Sequence, residues 1–445
     1  MKTILEKKHL PITCIILLAL VLRLLLIAWT LGYGNNGDFT RYEDWARIAH
    51  THGLAATYTG KYSTTVVNNE PPGTLYVMSA AYEFYILEGR IIARLTHTRP
   101  GTLIWVNTYL QHITMKLPSL AADLLLGVLS YLIVARIANR KSGLLASSLV
   151  LFNPVVWYNS AVWGQMDAVN NMLFLLALYL AFRKRLTLSA VAYALSLYVK
   201  VSLLPLLPFY FVYLYFLSGR RMTAVVLSFV AGSFAIILLT FPVSANPASW
   251  LLIHMPVLAG GELQNVSIAA FNFWMAVTCL PAVCPRGVTP VITRKALGMT
   301  LNMWGYTLFG AFTFPLLILQ LKRGKAMLRP QNIILIFSLI AYLTFLVLPK
   351  MHDRYLYPFF PLFAIVIALS REKKWLLIFY VLLSAVHLDN LIYSWNPIVF
   401  ASTTMFYHVF YGPWLRWILS SVITLLGLLL YIVSLRRIIT AKTGK

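Results

Sequence analysis

The sequence predicts an all-α polytopic membrane protein, a bundle of about 12 transmembrane helices with interfacial helices in its first outward loop. Three observations lead there. Of 445 residues, 60% are hydrophobic, 14% aromatic and only 11% charged, with a mean hydropathy of +0.75; soluble domains carry far more charge. Apolar runs of about 20 residues, each long enough to cross a hydrocarbon core of about 30 Å, recur along the whole chain. The runs are continuous and lack the alternation of barrel strands, so a backbone inside lipid must close its hydrogen bonds as helices.

The first run, His9 to Gly32, is too long for a cleaved signal peptide; Arg23 interrupts it and no small-residue cleavage site follows. It is expected to stay as a span. Basic clusters then punctuate the apolar runs: Lys2, Lys7 and Lys8; Arg136, Arg140 and Lys141; Arg183, Lys184 and Arg185; Arg220 and Arg221; Lys322, Arg323, Lys325 and Arg329; Arg371, Lys373 and Lys374; Arg436, Arg437, Lys442 and Lys445. Short loops rich in Lys and Arg stay in the cytoplasm. Threading them places spans near 10–32, 111–135, 142–162, 166–182, 186–200, 203–219, 222–241, 297–321, 331–349, 354–370, 374–394 and 413–435, with both termini cytoplasmic. The spans at 186–200 and 203–219 are short, and the stretch from Lys200 to Pro208 reads as a bent or re-entrant pair. The formal charge of +24 is therefore topogenic, in contact with anionic lipid, and not a nucleic-acid surface.

Three outward loops result, 33–110, 242–296 and 396–412. No repeat of fixed period divides the chain, so 1–445 reads as a single membrane-embedded domain. Of 13 Asp and Glu, only Glu6 and Glu372 fall clearly in the cytoplasm. Asp38, Glu43, Asp44, Glu70, Glu83, Glu88, Asp167, Glu262 and Asp353 fall in outward loops or at outward helix ends, which points to chemistry on that face, although long loops also have more room for acids.

In the first outward loop, Phe39, Tyr42, Trp45, Ala46, Ile48 and Ala49 mark an amphipathic helix lying in the interface, with Asp38 near its N-cap. A carboxylate placed where the first span leaves the bilayer can act as a base on an acceptor while lipid supplies the other reactant; the simpler role is a cap alone. Asn69-Glu70-Pro71-Pro72-Gly73 then blocks one helix and launches the next, near 73–87.

Further along, an arginine at the membrane surface offers a planar fork of donors to a phosphate oxygen. Arg354, at an outward helix start beside Lys350 and His352, is the first choice for a carrier phosphate; pairing with Asp353 or Asp167 as structural glue is the alternative. Lys200 is the second cation, unless it only snorkels. Gln165 and Asp167 suit a polar wall for sugar hydroxyls, and Trp163 offers a flat face for a pyranose or an interfacial anchor. His254, Glu262, Gln264 and Asn265 lie in the large loop without assigned roles. Cys279 and Cys284 leave a disulfide open, with Cys14 unpaired in a span. No zinc spacing, P-loop or dinucleotide glycine pattern occurs, so no nucleotide or redox cofactor is expected, and no metal is demanded.

These residues carry a family resemblance. The Asp-x-x-x-Tyr-x-x-Trp-Ala form from Asp38, with the following Pro-Pro-Gly turn and helix, resembles the glycosyltransferase-C superfamily, membrane enzymes that take a sugar from a polyprenyl-phosphate carrier on the extracytoplasmic face. Phe152-Asn153-Pro154 with Trp163-Gly164-Gln165-Met166-Asp167 looks like the Asn-Pro and Trp-Gly-Gln-x-Asp signatures of bacterial and GPI-assembly mannosyltransferases. Lys200 to Pro208, Asn265 to Trp274 and His352-Asp353-Arg354-Tyr355-Leu356-Tyr357-Pro358 resemble later elements in the same order. The resemblance implies a catalytic acid at Asp38, with Glu70 standing where relatives carry a second carboxylate one position away. It implies transfer of a hexose, mannose or glucose, to a glycan, lipid or protein acceptor, at the extracytoplasmic face of the plasma membrane if the source is prokaryotic and of the ER membrane if it is eukaryotic. A lipid-linked-substrate transporter or flippase, which would place ionisable residues mid-helix and show inverted repeats, is the other class; an oligosaccharide transferase using a diphosphate-linked donor stays open.

Overall fold

The computed structural model describes residues 2–31, 37–99, 105, 109–260, 264–282, 284, 288–395 and 412–440. Glu262 and almost all of the 396–412 loop lie outside them. The helices follow the hydropathy: α1 Lys2–Thr30, interfacial α2 Gly37–His52 and α3 Pro72–Leu95, then α4 Gln111–Ile137, α5 Arg140–Leu151, α6 Pro154–Trp157, α7 Asp167–Phe182, α8 Leu186–Val199, α9 Leu207–Leu217 and α10 Met222–Thr240. The large loop holds α11 Pro247–Gly260 and α12 Phe273–Thr278; α13 Leu301–Met327, α14 Pro330–Val347, α15 Phe359–Leu369, α16 Lys373–Ser394 and α17 Pro413–Thr440 follow.

Every predicted span contains helix. Seven helices, α1, α4, α10, α13, α14, α16 and α17, are long and apolar enough to cross a membrane by length and composition. The others are shorter or broken, for local reasons. The span expected at 142–162 stops at Phe152, because Pro154 cannot continue the hydrogen-bond ladder and disfavours helix at Asn153. Asn153 caps α6 by accepting from the Val155 amide at 2.8 Å and ties it to α16 through Ser384 Oγ at 2.8 Å. The chain goes on as a π-helical turn, Tyr158–Trp163. After α8 the backbone opens at Lys200, runs through a 3-10 turn at Val201–Leu206 and re-forms as α9, the bend that the short spans foreshadow.

Helix α4 packs on α5 and α7, α8 on α7 and α10, and α14 on α15. From Ile333 to Val347 every residue of α14 is buried, whereas α10 and α13 turn residues such as Leu227, Phe234 and Phe314 outward. Lipid tails are as apolar as leucine, so these helices are held by close packing and interhelical hydrogen bonds worth about 0.6 kcal/mol each. Tyr342 donates to the Ile423 carbonyl at 2.6 Å and Gln320 to that of Phe209 at 2.9 Å. Arg23 meets Asp123 at 2.9 Å with both side chains wholly buried, and Ser160 and Tyr357 also donate to that carboxylate.

Among the described residues, basic clusters gather at one end of the bundle. Lys373 reaches Ser142 at 3.4 Å, Arg437 reaches Ser370 at 3.3 Å, and Arg136 and Lys184 line one cavity with Leu217 and Leu328. At the other end, two short strands join the large loop to the segment before α15. β1 Ser267–Ile268 pairs in parallel with β4 Met351–His352, while β2 Lys295–Ala296 and β3 Met299–Thr300 form a hairpin.

Candidate functional site

Helix α2 places the first carboxylate. Its apolar face buries Phe39, Tyr42, Trp45 and Ile48 against α3 and the bundle, which leaves Asp38, in the first turn, on the rim with its side chain 30% exposed. Asp44 on the same helix is a clasp. It accepts from Ser63 Oγ, from the amides and hydroxyls of Thr64 and Thr65, and from Arg47 at 2.6 Å, folding the 59–71 loop back onto α2. Burial raises its carboxyl, but the hydrogen bonds from Arg47, Thr64 and Ser63 outweigh this and bring the pKa down to about 2.

Two glycines bring the other walls close. Gly164 has φ +82°, and a Cβ there would lie 2.6 Å from the Phe39 ring; only glycine permits both the left-handed turn and that approach. The turn is fixed from behind by Ser119, which donates to the Gln165 carbonyl at 2.8 Å, and by Lys116, whose ammonium donates to the carbonyls of Ala161 and Val162 and to Thr30 Oγ1. Gly73 of the Pro-Pro-Gly turn lies against the backbone of Tyr198 and Val199, and Thr74 donates to the Val199 carbonyl at 2.6 Å. That contact sets the Glu70 loop beside Lys200.

Six of the expected residues meet directly. Arg354 Nη1 lies 3.2 Å from Asp38 Oδ2, which also accepts from Gln165 Nε2 at 3.1 Å; Arg41 stands 3.7 Å from the other oxygen. Tyr42 donates to Gln165 Oε1 at 3.4 Å. Lys200 Nζ is 2.7 Å from Asp167 Oδ1, and Asp167 Oδ2 faces Arg354 Nε at 3.8 Å and Asn159 at 3.4 Å. The guanidinium sits 5.5 Å from the Trp163 ring centre and 5.7 Å from that of Tyr355. Two cations and two carboxylates thus alternate along one line: Asp38, Arg354, Asp167, Lys200.

Electrostatics separates the two accessible acids. Burial raises the Asp38 carboxyl, but Arg354 above all, then His352, Arg41 and the Gln165 amide, hold it below the usual 3.8. Glu70 is pushed above the usual 4.5 by burial, with Asp167 and Asp38 adding to the rise and Lys200 and Arg354 opposing it. Carboxylates driven apart in this way take different protonation roles.

Three expectations need adjustment. Trp163 is 4% exposed; its ring stacks near Trp395 at 5.8 Å and carries Arg354, so it is a platform for the guanidinium and not an open face for a sugar. Asp353 is 0% exposed, and among the described residues its oxygens accept no hydrogen bond, only a His352 ring contact at 3.5 Å; it lies behind the site. Among the described residues, no hydrogen bond or ion pair joins the Asn265 to Trp274 motif to the side chains of Asp38, Arg354, Asp167 or Lys200. The motif braces them: the Lys350 backbone amide donates to the Val266 carbonyl, Asn390 bridges Ala269 and Phe271, and Asn272 and Trp274 donate to the Phe345 and Val347 carbonyls at the end of α14. Within the loop Cys279 and Cys284 are disulfide-bonded. Lys116 and Asn390 escaped the sequence reading, and Tyr42, there only part of a helix pattern and motif, gained its contact with Gln165 from the fold. Lys116 alone carried a signal, as a lysine within an apolar run.

No family model and no curated protein matches the sequence. Solved structures similar to it include ArnT from Cupriavidus metallidurans bound to undecaprenyl phosphate, at 14% identity and a TM-score of 0.49, covering 95% of this chain and 77% of that one. Another is the archaeal oligosaccharyltransferase AglB from Archaeoglobus fulgidus, in complex with an inhibitory peptide and a dolichol-phosphate. It aligns at 13% identity and a TM-score of 0.42 over 99% of this chain and 57% of that one, so the chain spans little more than half its length. By its own helices and their hydropathy, the protein is an integral, multi-pass, nearly all-helical membrane protein.

Proposed function

We propose that the chain is a glycosyltransferase of the glycosyltransferase-C type, one domain that moves a hexose, mannose or glucose, from a polyprenyl-phosphate carrier to an acceptor on the extracytoplasmic face. The observation that carries this reading is the 3.2 Å meeting of Asp38 and Arg354, 316 positions apart in the chain, at the end of the bundle opposite the basic clusters. A base and a phosphate fork are the two groups a single displacement needs. Asp38 takes the proton of the acceptor hydroxyl as its oxygen bonds to the anomeric carbon. The bond from that carbon to the phosphate oxygen breaks, and the phosphate leaves with the electron pair. Configuration inverts because no covalent intermediate forms.

Arg354 offsets the charge gathering on the leaving phosphate, with Lys200 behind it through Asp167. The leaving group is already a stable anion, so neither a protonating acid nor a metal is required. In-line attack sets base and phosphate on opposite faces of the sugar, about 6 Å apart or more. A contact of 3.2 Å leaves no room for a pyranose, so donor binding entails separation of the pair, with Gln165 retaining Asp38 and Trp163 and Asp167 retaining Arg354. Glu70 and His352 line the accessible side and suit acceptor or sugar hydroxyls.

A transporter would use ionisable groups that change partners within the bundle. Here Asp123 is bonded by Arg23, Ser160 and Tyr357 together, and Lys116 by three oxygens, the pattern of structural pins. The test is mass analysis of products after incubating the reconstituted protein with several polyprenyl-phosphate sugars and, separately, diphosphate-linked oligosaccharides. A hexose-sized addition from a monophosphate donor is expected; transfer only from the diphosphate donors, or vesicle transport without transfer, overturns the proposal.

A further inference from the structure

At the basic end, away from the site, the ends of α14, α15, α16 and α17 enclose a cavity of about 640 Å³. Its mouth collects Arg329, Arg371 and Arg437 from three separate parts of the chain against a single carboxylate, Glu372. Three cationic side chains lining one cavity make it a favourable place for an anion, even with Arg329 and Arg371 exposed and Arg437 bonded to Ser370. Gln331, on the same wall, has its amide nitrogen buried with no acceptor among the described residues; an orphaned donor of that kind costs about 1–3 kcal/mol unless something accepts from it. The first turns of α14 and α16 open at the same mouth, adding the positive ends of two helix dipoles. Deeper in, Leu335, Phe363 and Val433 make the wall apolar, and Val433 is 52% exposed on the lipid side of α17.

We propose that this cavity binds the phosphate headgroup of an anionic phospholipid from the leaflet at the basic end. The phosphate lies among Arg329, Arg371 and Arg437 and accepts from Gln331, while an acyl chain follows the apolar wall toward Val433. The volume exceeds what a phosphate alone fills and falls in the range of organic-ligand pockets, about 300–1,000 Å³. Basic pockets between transmembrane helices on the cytoplasmic side suit such headgroups. Generic attraction of the leaflet to basic loops acts anywhere on this end; the cavity adds a fixed place with an apolar continuation.

The experiment measures lipid retention by the full chain by native mass spectrometry, with dioleoylphosphatidylglycerol, dioleoylphosphatidylcholine and inorganic phosphate as probes. One phosphatidylglycerol should be retained per chain, selectively over phosphatidylcholine and in the presence of millimolar phosphate. Arg329→Gln with Arg371→Gln should weaken it at least about tenfold. Arg220→Gln with Arg221→Gln removes the same charge from the same end, away from the cavity, and should leave it nearly unchanged. Gln331→Leu keeps all charges and should weaken retention about threefold or more. Equal retention of both lipids, full competition by inorganic phosphate, or equal losses in the two arginine variants overturns the proposal. Should the Arg329 and Arg371 variant fail to fold, Gln331→Leu decides, and unchanged retention in it refutes the site.

Discussion

Asp38→Asn separates a base from an ion-pair partner. The amide keeps the volume of the carboxylate; Asp38 lies inside the first turn of α2, with its oxygens on Gln165 and Arg354, and is not the helix cap that its sequence position suggests. The substitution removes the charge that faces Arg354 at 3.2 Å and Arg41 at 3.7 Å. At an effective dielectric of about 20 the Arg354 attraction is worth about 5 kcal/mol before desolvation. Because the Asp38 side chain is 30% exposed, water repays much of this, and the net stability loss should be about 1–2 kcal/mol. The protein should therefore remain folded. Loss of a general base lowers transfer by roughly 10² to 10⁴, about 3–5 kcal/mol of barrier. Single-turnover transfer in nanodiscs, with thermal unfolding and polyprenyl-phosphate binding measured alongside, reads the three effects separately. Donor binding should hold or tighten, since Arg354 loses a competitor for its fork. An Asp38→Asn variant keeping more than about a tenth of wild-type transfer would refute the assignment, and a dead Glu70→Gln beside it would move the base to the Pro-Pro-Gly turn. The pH profile is an independent check. In the free protein Asp38 titrates below 3.8, so transfer at subsaturating donor should be flat from about pH 5 upward, whereas dependence on ionised Glu70 would put an inflection above 4.5.

Arg354→Lys keeps the charge but loses the planar fork and its packing on Trp163, so donor use should fall substantially, and further in Arg354→Ala; an effect confined to acceptor affinity would assign the arginine another role. Lys200→Met leaves buried Asp167 without its 2.7 Å partner and should cost about 3 kcal/mol of stability, while Lys200→Met with Asp167→Leu should regain most of it and still transfer poorly. Stability returning together with transfer would make that pair purely structural. Asp44 has a folded pKa of about 2 against 3.8, so its stabilisation is present above about pH 4 and lost as pH falls toward 2. Screening at Arg47, whose side chain is 41% exposed, limits it to about 2 kcal/mol. Faster proteolysis of the 59–71 loop in Asp44→Asn at neutral pH would register it, and unchanged cleavage would contradict the clasp. Cysteines placed at Gly60, Lys295 and His352 should label from outside with an impermeant reagent, and those at Lys141 and Lys373 should not; outside labelling at Lys373 would invert the second half.

The sequence by itself determined the helical membrane architecture, the order of the helices and the sorting of charge between the two ends. Those properties are local sums: a run of apolar residues, a proline pair, a cluster of lysines in a short turn. The inward face of α2, from Phe39 to Ile48, was legible for the same reason, and so were Asp38 and Arg354 as individual groups at a membrane surface. Their meeting was not. Which cation faces which acid depends on how α2, the Gly164 turn and the segment before α15 pack, and positions more than 100 apart in sequence give no local sign of it. Tertiary structure alone decided that Trp163 carries a guanidinium, that Asp353 is fully buried, and that the Asn265 to Trp274 stretch braces β4. Arg23 was visible as a charge inside the first span, yet its pairing with Asp123 at 2.9 Å, and the gathering of Arg329, Arg371 and Arg437 around one cavity, required the fold. Hydropathy specifies that a segment enters lipid; only packing settles which buried charge finds its partner, because the cost of leaving one unpaired there exceeds any preference written in its own neighbourhood.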